Sequence, residues 1–139
     1  MQIGVETSRA VENKRIFVVD DDGITRAVLQ FMLQDDNETH DVPTLDEAYL
    51  KGRPDLLLLG ASVLAAAEPG LPAKLAARWP DTRIMLIAAT YDDTTVPTGV
   101  HGVLTRPFTL ESVRKKVDVQ LGRAVSSLVQ LQLVASPAR

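Results

Sequence analysis

Three consecutive carboxylates, Asp20-Asp21-Asp22, follow directly on the apolar run Ile16-Phe17-Val18-Val19. Ionised carboxylates this close repel one another, and such clusters at strand ends bind cations. The structural alternative is a solvated turn in which an aspartate caps the helix after it. A cationic group, Arg106, stands in Arg106-Pro107-Phe108, again just past an apolar run. Between them lies Pro54-Asp55-Leu56-Leu57-Leu58-Leu59-Gly60. Four leucines are too short for an isolated helix and suit a strand buried on both faces. Ligands of open α/β sheets gather at the carboxyl ends of such strands. Here that position is Gly60, which has no side chain to do chemistry with.

The elements that must position these groups alternate between strand and helix. Ile24, Val28, Leu29, Phe31, Met32 and Leu33 give an amphipathic helix over Gly23 to Gln34. His40-Asp41-Val42 reads as a weak edge strand, because Pro43 cannot donate to a ladder. Thr44 with Glu47 forms a capping box that opens a helix over Leu45 to Lys51, stopped by Gly52. Leu71, Leu75 and Trp79 give an apolar face to a helix over Ala73 to Trp79. Ile84 to Ala89 is a second buried strand and Val100 to Leu104 a further one, whereas Thr90 to Thr98 lacks the apolar period of a helix. Thr109 caps a long helix predicted to run to Val134, with Leu110, Val113, Val117, Leu121, Ala124, Leu128 and Leu131 spaced by threes and fours. That stripe approaches a heptad seam. The part from Leu110 to Leu121 can pack on the sheet, and the rest is expected to meet another helix. Alternation of this kind predicts a doubly wound, five-stranded parallel sheet covered on both faces.

The totals narrow the class. The chain has 139 residues, suited to one core domain, and 45% apolar with 24% charged residues rules against wholesale disorder. The expected division is a tail over residues 1–13, the domain over 14–121, and a helix extension with tail over 122–139. A net charge of -3 argues against non-specific nucleic-acid binding. With no cysteine there is no thiol nucleophile or thiolate metal site. No signal-peptide pattern or membrane-spanning run is present, so a cytoplasmic location is expected.

Taken together, Phe17-Val18-Val19-Asp20-Asp21, Pro54 to Leu59, Ile84 to Ala89 and Arg106-Pro107-Phe108 resemble the receiver domain of bacterial two-component response regulators. The resemblance covers about Lys14 to Leu121 and implies a flavodoxin-like receiver fold. In that family an acidic pair and an aspartate hold Mg²⁺. The aspartate accepts a phosphoryl group from a histidine kinase, and a hydroxyl and a lysine hold the new phosphoryl oxygens. Carried over, the acidic pair is Asp20 and Asp21, the acceptor position is Gly60, the hydroxyl position is Ala88 and the lysine position is Arg106. The aromatic position of the fifth strand is Val103, and the fourth helix is expected to be shortened or lost.

The resemblance therefore implies a degenerate member, a pseudo-receiver without a phosphorylation site and with no catalytic residue. Asp20, Asp21, Asp22 and Arg106 form a vestigial acidic pocket. Mg²⁺ binding by Asp20 and Asp21 is expected to be weak or absent, no other cofactor is implied, and Arg106 is expected to pair with Asp20 or Asp21. Ser62 and Thr90 are poor substitutes, since in-line transfer tolerates little misplacement. The expected function is a phosphorylation-independent protein–protein interaction module in signalling. It is expected to dimerise through the last helix or contact a regulatory or effector protein, without binding nucleic acid or membrane. The alternative is a regulatory α/β domain binding a small ligand or nucleotide at Asp20, Asp21 and Asp22. No Gly-rich phosphate loop supports it. His40 and His101 stand alone, so no hydrolase constellation is evident.

Overall fold

A computed structural model of the chain describes residues 13–89 and 96–123. Five parallel strands form one sheet: β1 (Lys14–Val19), β2 (Asn37–Val42), β3 (Leu56–Gly60), β4 (Arg83–Ala88) and β5 (Gly102–Thr105). Their order is β2-β1-β3-β4-β5. Helices α1 (Gly23–Leu33), α2 (Leu45–Lys51), α3 (Ala61–Ala66), α4 (Leu71–Arg78) and α5 (Leu110–Gln120) connect or follow the strands.

The leucine strand is the centre of the fold. All four leucines are fully buried, and they divide between two cores because successive side chains point to opposite faces. Leu56 and Leu58 join Ile16, Val18, Met85 and Leu104 beneath α1 and α5. Leu57 and Leu59 join Phe17, Val19 and Trp79 beneath α2 and α4. Burying each leucine is worth about 1.5–3 kcal/mol before entropy is counted. At the strand's start, Asp55 Oδ2 accepts from the Arg15 backbone N–H at 2.8 Å, fixing the register of β3 on β1.

Local signals set most element ends. Asp22 is the N-cap of α1, and Thr44 and Thr109 cap α2 and α5 through their hydroxyls. β2 starts at Asn37, three residues before the strand expected from His40. The Asn37 side chain donates to the Leu33 carbonyl at 3.0 Å, closing α1 while its backbone opens the strand. α4 starts at Leu71, not Ala73, because Pro72 is tolerated in a first helical turn and Gly70 takes a left-handed φ of 91° before it. α3 follows Gly60 directly and carries no signal used in the sequence reading. Residues 96–101 hold no helix, and residues 90–95, which bear on the shortened fourth helix, lie outside those described.

The last helix requires two corrections. It ends at Gln120 rather than running unbroken to Val134. Gly122 adopts φ 82°, its N–H donates to the Val119 carbonyl at 3.1 Å, and the Arg123 N–H donates to the Asp118 carbonyl at 2.8 Å. This paired closure is a Schellman motif, and Gly122, in the middle of the apolar stripe, was its sequence signal. Second, Val113 and Val117 are buried in the domain's own core and Leu121 packs against it, so these three are not a free interface. Leu110 is half exposed at the helix start. Ala124, Leu128 and Leu131 lie outside the described residues, as does the N-terminal tail through residue 12.

Candidate functional site

Strand register assembles the site. Val19 pairs with Leu59, Gly60 with Ile87 and Ala88 with Thr105. Asp20, Gly60, Ala88 and Arg106 therefore stand at the carboxyl ends of adjacent strands, the place an open parallel sheet offers to ligands. The positions that the sequence singled out are brought together, but their side chains do not converge on a shared ligand point.

Asp20 is 5% exposed, and its carboxylate is turned toward β3. Oδ1 accepts from the Asp22 backbone N–H at 2.8 Å. The rest of the carboxylate fills the space above Gly60: a Cβ built on that glycine would meet Asp20 Oδ2 and come within 2.8 Å of its Cγ. Gly60 itself has an ordinary φ of -64°, so it is glycine here for space rather than for backbone freedom. Burial raises the Asp20 pKa above the ordinary aspartate value, as does neighbouring Asp21, while the Asp22 N–H and, more weakly, Arg106 work against the rise.

Asp21 is exposed and accepts from Ser62 Oγ at 2.9 Å. Asp22 is engaged as a helix cap, accepting from the Ile24 N–H at 3.2 Å and from Thr25 Oγ1 at 2.7 Å. The Thr25 hydroxyl, then the Ile24 N–H, holds the Asp22 pKa below its ordinary value. The structural reading of the carboxylate run is thus the right one for Asp22.

Arg106 does not pair with Asp20 or Asp21. Its guanidinium donates to Thr25 Oγ1, lies 3.8 Å from Asp22 Oδ2 and sits over the Phe108 ring at 5.3 Å. The buried Thr25 hydroxyl, anchored by the Asp22 cap, draws the fork toward the start of α1. Thr25 was missed in the sequence; its spacing of three from a capping aspartate was the available signal. Arg26 bonds Asp41 and donates to the Asp20 carbonyl at 2.6 Å, steadying the β1–α1 turn.

Oxygens of both Asp20 and Asp21 are engaged within the chain. Asp20 spends one oxygen on a backbone N–H and turns the other into the space over Gly60, and Asp21 is bonded to Ser62. Gly60 supplies no third carboxylate. Among the described residues no three Asp, Glu or His side chains gather as a metal-holding group. Ala88, at the hydroxyl position, is buried and offers no donor.

The two histidines lie away from these groups in separate local contacts. His40 Nε2 meets Glu38 Oε2 at 2.7 Å on the edge strand, and His101 Nδ1 accepts from the Ile84 N–H at 2.9 Å. Partial burial, with nearby Arg83, holds the His101 pKa below its ordinary value. No described helix is long and apolar enough to cross a membrane.

No protein-family model and no curated protein matches the sequence. Solved structures do match. NtrX from Brucella abortus superposes with a TM-score of 0.67 at 18% identity, over 86% of this chain and 29% of that one. A response regulator from Thermotoga maritima gives 0.62 at 18% identity, over 79% of this chain and 98% of that one. TrrA, also from Thermotoga maritima and crystallised with Mg²⁺ and beryllium fluoride, gives 0.61 at 23% identity, over 77% and 98%. This is the receiver fold. The chain spans under a third of the NtrX chain but nearly the whole of the two Thermotoga proteins. The receiver fold accounts for the sheet order and for the clustering of Asp20, Gly60, Ala88 and Arg106 at one end of it.

Proposed function

We propose that this chain is a phosphorylation-independent receiver module that acts in signal transduction or regulation by binding other proteins, and that it is not an enzyme. One observation carries the reading: the Asp20 carboxylate occupies the space above Gly60 where a phospho-accepting side chain would project. Phosphoryl transfer needs a nucleophile held in line and donors aimed at the developing charge. Gly60 lacks the first and Ala88 lacks one of the second. The module needs no cofactor, and Mg²⁺ binding is weak at most. A cytoplasmic location and contact with a regulatory or effector protein accord with this role.

A ligand that binds the folded chain raises its melting temperature. The reading predicts no shift when Mg²⁺ and beryllium fluoride, a phosphoryl mimic, are added together. A rise that grows with their concentration and needs both would overturn it.

A small-ligand role is favoured by one feature only. A groove of about 540 Å³ opens beside the acidic turn, lined by Asp22, Thr25, Arg106, Ile24, Val28 and Phe108 among others. Its polar groups are bonded to one another and its walls are apolar, which suits a protein side chain better than a nucleotide.

A further inference from the structure

α1 turns toward solvent a stripe that carries no charge. Ile24 is 74% exposed and Phe31 72%, with exposed Ala27 between them. The core takes Leu29 and Leu33 instead, and Arg26 is drawn aside to Asp41 and the Asp20 carbonyl. At the start of α1 the stripe opens into the groove lined by Ile24, Thr25, Val28 and Phe108 among others. At the other end of α1 the last described residues arrive. The Asn37 side chain donates to the carbonyl of Leu33, the last residue of α1, and its Oδ1 accepts from Arg123. Arg123 also pairs with Asp118 at 3.5 Å, and Leu121 packs on the core. The chain therefore leaves α5 beside the C-terminal end of α1, through the Schellman turn at Gly122.

We infer that residues 124–134 fold back along α1 as an antiparallel helix and cover this stripe. Neutrality alone admits any apolar partner; size and reach choose among them. α1 has 11 residues and is about 16 Å long, so a strip about 10 Å wide offers on the order of 160 Å². A stable contact between separate chains needs about 800 Å² on each. A tethered segment needs far less, since attachment gives it an effective concentration in the millimolar range. Residues 124–134 match α1 in length and carry no charge, whereas the N-terminal tail carries Glu6, Arg9 and Glu12.

The point of departure sets the register. With Ala124 entering beside Phe31, antiparallel pairing puts Leu128 on Ala27 and Leu131 on Ile24, because both stripes step by four and then by three. Small Ala124 faces large Phe31, and large Leu128 faces small Ala27, so bulk meets space along the seam. Leu131 and Ile24 meet where the groove leaves room for both. In a module that binds other proteins, the segment becomes a built-in competitor for this face. That use rests on the proposed function, whereas the docking does not.

The chain has no cysteine, so a pair can be introduced without interference. In the full chain, Ala27→Cys with Leu128→Cys is expected to close an internal disulfide under mild oxidation, since facing positions lie within disulfide reach. The product is a monomer lighter by two hydrogens. Leu50→Cys with Leu128→Cys is the control, because Leu50 is 87% exposed on α2, across the sheet. The first pair should close at least about tenfold faster than the second. Separately, Leu128→Lys should lower the melting temperature by about 2–6 °C, the shift of one lost contact in a domain of this size. Equal closure rates, a disulfide-linked dimer in place of the internal bridge, or a Leu128→Lys chain that melts with the parent would each overturn the inference. The dimer would mean that a second copy covers the face. All are read without Mg²⁺ or a phosphodonor, so they can fail while the phosphorylation reading stands, and the reverse.

Discussion

The carboxylate of Asp20 lies over Gly60, and each residue explains the other. The aspartate can turn inward only because the glycine has no Cβ, and the bare glycine leaves no void because the aspartate fills the space. Strand pairing sets them side by side, since Val19 and Leu59 are register partners. The space above Gly60 is filled from within.

Gly60→Ala tests that mutual fit. The backbone there suits any residue, so the cost is steric: about 1–3 kcal/mol, the range for overpacking a tight core. Chemical denaturation should show this loss in the parent. In an Asp20→Ala background, where the obstructing carboxylate is gone, the same change should cost almost nothing. An equal cost in both backgrounds would mean that Asp20 does not fill the space.

Gly122→Ala addresses the helix end. A Cβ there would meet open space, so any effect comes from the left-handed φ of 82°. The expected loss is about 1 kcal/mol, measured by urea unfolding. No loss would restore the longer unbroken helix.

Val117→Ala separates core from interface on α5. A fully buried valine shortened to alanine should cost about 2 kcal/mol of stability while leaving any self-association unchanged. A lost dimer with unchanged stability would return the α5 stripe to the interface.

His101 predicts a pH dependence. Its Nδ1 can accept the Ile84 N–H only when unprotonated, and burial with Arg83 already lowers its pKa. The folded pKa is therefore below the unfolded value of 6.5. The stability this residue contributes is full above 6.5 and is lost as pH falls through the lower, folded value. His101→Asn keeps an acceptor near the same place and does not titrate. Urea midpoints of parent and variant should diverge below pH 6.5 and run parallel above it.

What the sequence disclosed was what short spans decide. The leucine strand and the hydroxyl caps at Thr44 and Thr109 need only their neighbours, and all three stand where they were read, although of the box at Thr44 the structure shows only the half in which its hydroxyl accepts from the Glu47 N–H. The stripe on α5 was legible as apolar but not as to what it meets, because periodicity gives a face and never its occupant. There the heptad spacing drowned the local stop at Gly122. Arg106 was misplaced for a different reason. Its partner Thr25 lies 81 residues away, and only the folded β5–α1 juxtaposition reveals it. The inward turn of Asp20 is likewise a matter of packing between strands some 40 residues apart.

The most direct measurement is the intact mass of the full chain after incubation with Mg²⁺ and a small phosphodonor. With Gly60 at the acceptor position and Asp20 folded over it, the mass should stay that of the unmodified chain. A stable gain of one phosphoryl group, mapped to any residue at the carboxyl end of the sheet, would contradict the account.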